Sequence, residues 1–152
     1  MSFLDHRIQC GNSLLGTTPR LLDDGIPNDA FQAIDGDDRD CCKKLKTQNR
    51  KERDDREQGQ GCLFEPFTRP RYLPGEFARL SILDDETPAD VADKQRRYAE
   101  VVQGTDYQDA RLLADTWCSV FVWKKDTSDL GKLCPTERGF RSIEDNPHSI
   151  LP

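Results

Sequence analysis

The sequence is poor in apolar residues and has no long apolar run. Of its 152 residues, 35% are hydrophobic and 33% are charged, whereas a typical soluble domain has about a quarter of its residues charged. No segment approaches the roughly 18 consecutive apolar residues that a membrane span needs, and no signal peptide precedes Phe3. We therefore predict a cytoplasmic protein that has no membrane segment and is globular only in part.

Histidine and paired cysteines are also scarce, which disfavours two kinds of site. The two histidines are His6, at the start of an apolar alternation, and His148, after a proline near the end of the sequence. Neither lies in a context typical of a Ser-His-Asp arrangement. The six cysteines include no C-x-x-C pair, the usual signature of zinc. In a reducing compartment we expect them to be free, partly buried thiols.

A broad excess of positive charge is missing as well. The net charge of −6 argues against a protein that coats DNA without sequence preference. Locally, residues 43–57 contain seven Lys or Arg against four Asp or Glu, in a stretch predicted to be helical from about Asp37 to Gln58. The pattern favours a solvated helix over the alternative, a helix that touches phosphates.

The first third of the sequence alternates between one strand signal and loop signals. "HRIQCGNSL" predicts a short strand through Ile8 and Cys10 that ends in a tight turn. Residues 14–31 are interrupted by glycine and proline, and we expect a loop with at most a short helical turn. "GQGC" at residues 59–62 follows no strand and is interpreted as a flexible joint. Residues 63–77 contain three prolines and predict an extended connector.

The last third predicts helices. Thr87, Pro88 and Asp90 form a capping-box start, Gly104 provides a stop, and a second helix begins at Thr105. We expect the two to form an αα-hairpin, whose second helix has Trp117, Phe121 and Trp123 as the best core candidates. Its end, "SVFVW", is β-branched and aromatic and favours fraying or an extended chain. A short helix is expected from Thr136 to Asp145, ended by Pro147.

The turn "CGNSLLG" carries a resemblance to a known family. "SFLDHRIQCGNSLLGTTPRLL" resembles a segment of the large adenine-specific DNA methyltransferases of restriction-modification and phage-defence systems. "RYAEVVQGTDYQDARLLADTWCSVFVWKK" and "PTERGFRSIEDNPHS" look like the helical stretch that those enzymes insert before their catalytic motif. The resemblance implies that Asn12 hydrogen-bonds the adenine of S-adenosylmethionine, with Ser13 and Leu14 shaping the pocket. It also implies DNA as a partner and a strand end in a doubly wound α/β sheet as the location of the turn.

Two motifs of that family are not found in this sequence. No glycine-rich loop follows a first strand, and the nearest match to the Asn/Asp-Pro-Pro-aromatic motif is residues 146–149, "NPHS". That match has Ser149 where the motif has the aromatic residue that stacks on a flipped adenine, so we interpret it as a helix-ending turn. We expect no catalytic residue in this chain and no methylation by it alone.

The resemblance and the missing motifs together predict an interior piece of a methyltransferase. Its fold class would be mainly α, an αα-hairpin with one or two short strands. The expected parts are a strand-turn segment (1–22), a polar helix and linker (23–74) and a region like the helical insert (75–152). The strand would be orphaned from its sheet, which predicts disorder of residues 1–22 in the isolated chain, and the partners would be complementary parts of a split enzyme. The alternative is a small helical module that docks a partner protein through its Trp/Phe-rich helix.

Overall fold

A computed structural model describes residues 3–4, 15–59 and 74–147 of the chain. Helices account for 69% of these residues, and there is no strand among them. The prediction of a mainly α structure is confirmed for this part of the chain, while the predicted strand before Gly11 lies outside the described residues. The helices are α1 (Pro19–Asp24), α2 (Arg39–Glu57), α3 (Pro74–Ser81), α4 (Pro88–Gln103), α5 (Thr105–Val122), α6 (Asp129–Lys132) and α7 (Glu137–Asp145), with a 3₁₀ turn at Asn28–Phe31.

The described residues form two compact units. The first contains residues 3–4 and 74–111, and the second contains residues 15–59 and 112–147. The boundary falls inside α5, between Arg111 and Leu112. The predicted division into three parts is based on motifs in the sequence and not on packing, and it stays a prediction.

The first unit is held together mainly by aromatic side chains around α4. The Tyr98 ring lies 5.5 Å from the ring of Phe3 and 6.4 Å from that of Phe77. Phe77 also lies 6.0 Å from Tyr107, and edge-on contacts of this kind add to the stability that burial provides. The predicted capping box at the start of α4 is present, because the side chains and amides of Thr87 and Asp90 bond reciprocally.

The second unit has the larger apolar core. α5 contributes Leu113, Trp117 and Val120, and α7 contributes Phe140, which is fully buried. The rest of the core comes from Ile26, Ala30, Phe31 and Cys134, with Leu22, Leu45, Cys118, Phe121, Trp123 and Ile143 packed against it. Burial of a side chain such as that of Phe140 stabilises the folded state by roughly 1.5–3 kcal/mol.

Several local predictions were wrong where packing outweighs the local signal. Residues 14–31 were expected to be a loop with at most a short helical turn. The described part, from residue 15 onward, contains both α1 and the 3₁₀ turn, and it supplies Ile26 and Phe31 to the core. The predicted connector of residues 63–77 overlaps α3, which begins at Pro74. "SVFV" remains helical to Val122, because Val120 and Phe121 follow Trp117 by three and four residues and so reach the core on the same face of the helix.

The predicted helices α4, which begins at Pro88, and α7, which ends at Asp145, are confirmed. α4 and α5 are joined by the single residue Gly104, whose amide donates to the Val101 carbonyl at 3.1 Å. α7 ends at Asp145, and the Asn146 amide donates to the Ser142 carbonyl at 3.0 Å. Pro147 follows directly, as expected of a residue that cannot continue a helix.

Candidate functional site

The predicted donor-binding turn lies in a part of the chain that the structure does not describe. Asn12, Ser13 and Leu14 are all outside the described residues, so their roles stay predictions. Phe3 is described, and its ring packs edge-on against Tyr98 of α4.

In the second unit, polar side chains converge where α2, α7 and residues 22–28 meet. We call this set the polar junction; its members are Asn49, Glu52, Arg53, Arg56, Thr136, Glu137 and Arg141. Sequence patterning does not reveal the polar junction, because its members and the backbone groups that they bind lie up to 119 positions apart. A signal was present nonetheless: a helix as poor in apolar residues as α2 must bury polar groups if it packs at all.

Asn49 is the centre of the polar junction and is fully buried. Its amide group donates to the Ile26 carbonyl at 3.0 Å and to Asn28 Oδ1 at 2.9 Å. Its amide oxygen accepts from the Glu137 backbone N–H at 2.8 Å. Asn49, which belongs to α2, therefore caps the first turn of α7. Thr136, the N-cap residue of α7, makes no side-chain cap bond of its own.

Glu137 is an almost fully buried carboxylate that is bonded on both oxygens. Oε2 accepts from the Ile26 amide at 2.8 Å, while Oε1 accepts from Arg141 Nε at 2.8 Å and from Arg56 Nη1 at 3.1 Å. Gly25 has a φ of +80°, and a Cβ at this position would collide with the Glu137 carboxylate. Glycine is thus required at position 25 for both its conformation and its lack of a side chain.

Glu52 completes the capping of α7 from α2. Its carboxylate accepts from the Arg138 amide at 2.9 Å and from Gln48 Nε2 at 2.9 Å. Burial by itself raises the pKa of Glu52, but these bonds and one from the Thr136 hydroxyl outweigh burial, and the pKa lies below its ordinary 4.5. The ionised form of Glu52 is therefore the form that the fold stabilises.

Two arginines of the polar junction also donate hydrogen bonds to backbone carbonyls. Arg53 donates to the Ile26 carbonyl at 2.8 Å, and Arg141 donates to the carbonyls of Leu22 and Asp23 at the end of α1. A cleft of about 410 Å³ borders the junction, lined by Asp23, Asp24, Arg53, Arg56, Glu57 and Glu137. Because its charged groups bond to one another and to backbone carbonyls, the junction is a structural assembly rather than an acid–base site.

Two buried thiols lie near a buried lysine and an aspartate. The Cys42 thiol donates to Asp37 Oδ2 at 3.8 Å, and the fully buried Lys125 donates its Nζ to the Trp123 carbonyl at 3.1 Å. Burial raises the pKa of Cys42, and it raises that of Cys134 to about 11. Both groups are therefore held as thiols rather than as the strongly nucleophilic thiolates.

The aromatic residues of α5, together with Trp123 directly after it, suggested a docking helix, but they pack within the second unit. Trp117 is buried, lies 4.8 Å from the Phe121 ring, and donates its Nε1 to the Gly25 carbonyl at 2.9 Å. Trp123 is half-buried and donates its Nε1 to the Leu130 carbonyl at 2.9 Å. Trp117 is a core residue as predicted, while Phe121 and Trp123 pack against the core. Little of the Trp117 ring is left for a partner.

The first unit has a cleft of about 520 Å³ between α3, α4 and the start of α5. Apolar side chains such as Leu80 and Tyr107 line it beside Arg79, Arg97 and Glu100. Neither a thiol nor a histidine is among the lining residues. The cleft therefore contains no Cys–His or Ser–His pair.

No candidate metal site is found within the described ranges, where no three His, Cys, Asp or Glu side chains are grouped to hold an ion. Within the same residues, no helix is both long enough and apolar enough to cross a bilayer. Comparison of the chain with protein-family models, with curated proteins and with solved structures gives no match.

Proposed function

We propose that this chain is part of an adenine-specific DNA methyltransferase of a restriction-modification or phage-defence system. The observation that carries the proposal is the turn "CGNSLLG", which follows a short apolar alternation as it does in that family. In this proposal Asn12 binds the adenine of S-adenosylmethionine, and Ser13 and Leu14 form the pocket beside it. The protein would act in the cytoplasm, where its DNA and its methyl donor are found.

The chemistry of the turn suits this role. A side-chain amide can accept a hydrogen bond from an exocyclic amine and donate one to a ring nitrogen without adding charge. The carboxyl end of a strand in a doubly wound sheet leaves a crevice in which such a ligand binds. The helices α4, α5 and α7 are further support, because they cover the two sequence stretches that resemble the helical insert of the family.

The glycine-rich donor loop and the catalytic Asn-Pro-Pro-aromatic motif would come from complementary polypeptides, since this sequence contains neither. The chain alone would then bind little donor and methylate nothing. The alternative function, docking of a partner protein through the Trp/Phe-rich helix, is weakened by the burial of Trp117 and the packing of Phe121 against it.

The test is reconstitution. The chain would be expressed together with polypeptides that carry the two missing motifs, and N6-methyladenine in host DNA would be measured by mass spectrometry. We expect methylation with the wild-type chain and a decrease of about tenfold or more with Asn12→Ala, the effect of losing one or two hydrogen bonds to the donor. Asn146→Ala, which alters an exposed asparagine in the other Asn-containing turn, is the matched control and should leave methylation unchanged.

Calorimetric titration of the purified chain with S-adenosylmethionine complements that test. We expect no saturable heat from the chain alone. Saturable heat that Asn12→Ala abolishes would show that the donor pocket forms without the glycine-rich loop, and the proposal of an incomplete enzyme would be wrong. Equal methylation by wild type and Asn12→Ala in the reconstituted enzyme would remove Asn12 from the donor site.

A further inference from the structure

The middle of α2 is an exposed basic surface. Between Cys41 and Lys51 the helix has five basic residues and no acidic one. All five side chains are exposed, and a shallow depression of about 450 Å³ lies among three of them, with Thr47 and Gln48 as its neutral lining. We call these residues the basic face; they are Lys43, Lys44, Lys46, Arg50 and Lys51.

The opposite side of α2 holds the basic face in place. Cys42, Asn49 and Glu52 are buried against the 3₁₀ turn and α7, and Asn49 alone makes three hydrogen bonds there. The helix can therefore present its cations at fixed spacing: Lys44 and Lys51 are two turns apart, about 10.5 Å along the axis. A fixed array of cations loses less entropy on binding a regular polyanion than a flexible chain would.

The acidic neighbours of the basic face neutralise it only weakly. The ion pairs Lys43–Asp40 and Lys46–Asp29 span 3.3 and 3.7 Å, and Arg50 lies 4.0 Å from Asp54. Each pair is largely exposed to solvent, and exposed pairs contribute little and are screened by salt. A ligand with closely spaced negative charges can displace such partners, and Lys44 and Lys51 stand outside these three pairs.

We propose that the basic face of α2 binds the phosphate backbone of double-stranded DNA. The recognition of phosphate follows from the charge and spacing of the lysines, since each strand of DNA carries one negative charge per roughly 3.4 Å. The choice of DNA over other polyanions rests on the proposed function. Because the face reads only phosphates, it would position the chain on the duplex without reading its sequence. Because the net charge is −6, the attraction to DNA is confined to the basic face. Phosphate contacts weaken as salt rises, so binding should be strongest at low salt.

The test uses the full chain and a fluorescein-labelled 20-base-pair duplex of arbitrary sequence, with binding followed by fluorescence anisotropy. If three phosphates are neutralised, the affinity should fall about 40-fold between 50 and 200 mM salt. The triple variant Lys43→Gln/Lys44→Gln/Lys51→Gln should bind at least about tenfold more weakly at 50 mM salt and lose most of that salt dependence. Glutamine has a helix propensity close to that of lysine, so circular dichroism should show α2 intact.

A matched control separates the basic face from total charge. Arg79→Gln/Lys124→Gln/Lys132→Gln removes the same charge from exposed side chains outside α2, and it should bind DNA like the wild type. Equal weakening by both triple variants, binding that salt does not change, or no binding at 50 mM salt would each overturn the proposal. Tighter binding to a single-stranded RNA of the same length would overturn the assignment to DNA.

This experiment is separate from the test of the methyltransferase proposal. It contains no S-adenosylmethionine and leaves Asn12 unchanged. DNA binding lost in the α2 variant supports the basic face even if Asn12 proves irrelevant to methylation. Methylation that depends on Asn12, together with no DNA binding by α2, refutes the basic face and leaves the proposed function standing.

Discussion

Helices α2 and α5 are almost equal in length, with 19 and 18 residues, yet they join the second unit by different physical means. α5 inserts Leu113, Trp117 and Val120 into the apolar core. α2 buries Cys42 and two polar side chains, Asn49 and Glu52. For α5 the stabilisation comes mainly from apolar area removed from water. For α2 it comes from hydrogen bonds that satisfy the backbone of α7 and of residues 25–28.

The difference shows that a helix with few apolar residues can still be an internal element. Sequence patterning treats polar residues as exposed, because an unpaired polar group is costly to bury. Asn49 avoids that cost by placing both ends of its amide against backbone or side-chain partners. The consequence is that α2 should tolerate polar substitutions on its exposed basic face and almost none on the face of Asn49.

The largest loss of stability is expected from a substitution in the core of α5. Trp117→Ala removes a buried ring and should lower the free energy of unfolding by about 3–5 kcal/mol, measured by urea unfolding followed by circular dichroism. Trp117→Phe keeps most of the ring but leaves the Gly25 carbonyl without its indole donor, at a cost of about 1–3 kcal/mol. Val122→Ala, at an exposed position of the same helix, is the control and should change stability by less than about 0.5 kcal/mol.

The second-largest loss of stability is expected from a substitution on the buried polar face of α2. Asn49→Ala leaves the buried Glu137 amide without an acceptor and should cost about 2–3 kcal/mol in the same assay. Thr47→Ala, two residues earlier and exposed, should stay within about 0.5 kcal/mol. If Asn49→Ala were as mild as Thr47→Ala, the polar face would not be an internal surface, and the contrast with α5 would disappear.

The smallest effect concerns pH and the Glu52 carboxylate. Its pKa is lower in the folded chain than its ordinary 4.5, so Glu52 contributes stability above that pH, and the contribution is lost as the pH falls through the folded-state pKa. Glu52→Gln does not titrate, and its stability should therefore vary less with pH below about 4.5 than that of the wild type. Urea midpoints measured from pH 6 to pH 3 would show this. Thr47→Ala, at an exposed position of α2 that does not titrate, should keep the wild-type pH dependence, and a wild-type profile for Glu52→Gln as well would contradict the assignment.

Local signals in the sequence determined much of the helical framework. The capping box of Thr87 and Asp90, the stop at Gly104 and the block at Pro147 act within a few residues, and α4 and α7 begin and end as expected, as α5 begins. The aromatic residues at helical spacing in α5 likewise identified Trp117 as a core residue. For the candidate site, the sequence gives Asn12, Ser13 and Leu14 through resemblance alone, and they lie outside the described residues.

Tertiary contacts decided the remainder. The 3₁₀ turn at Asn28–Phe31 depends on Ala30 and Phe31 packing in the core, which adjacent residues do not specify. The polar junction depends on pairings such as Asn49 with Glu137, which lie 88 positions apart. Hydrogen bonds of this range leave no periodic trace in the sequence, because each polar residue looks the same whether its partner is water or a distant backbone group.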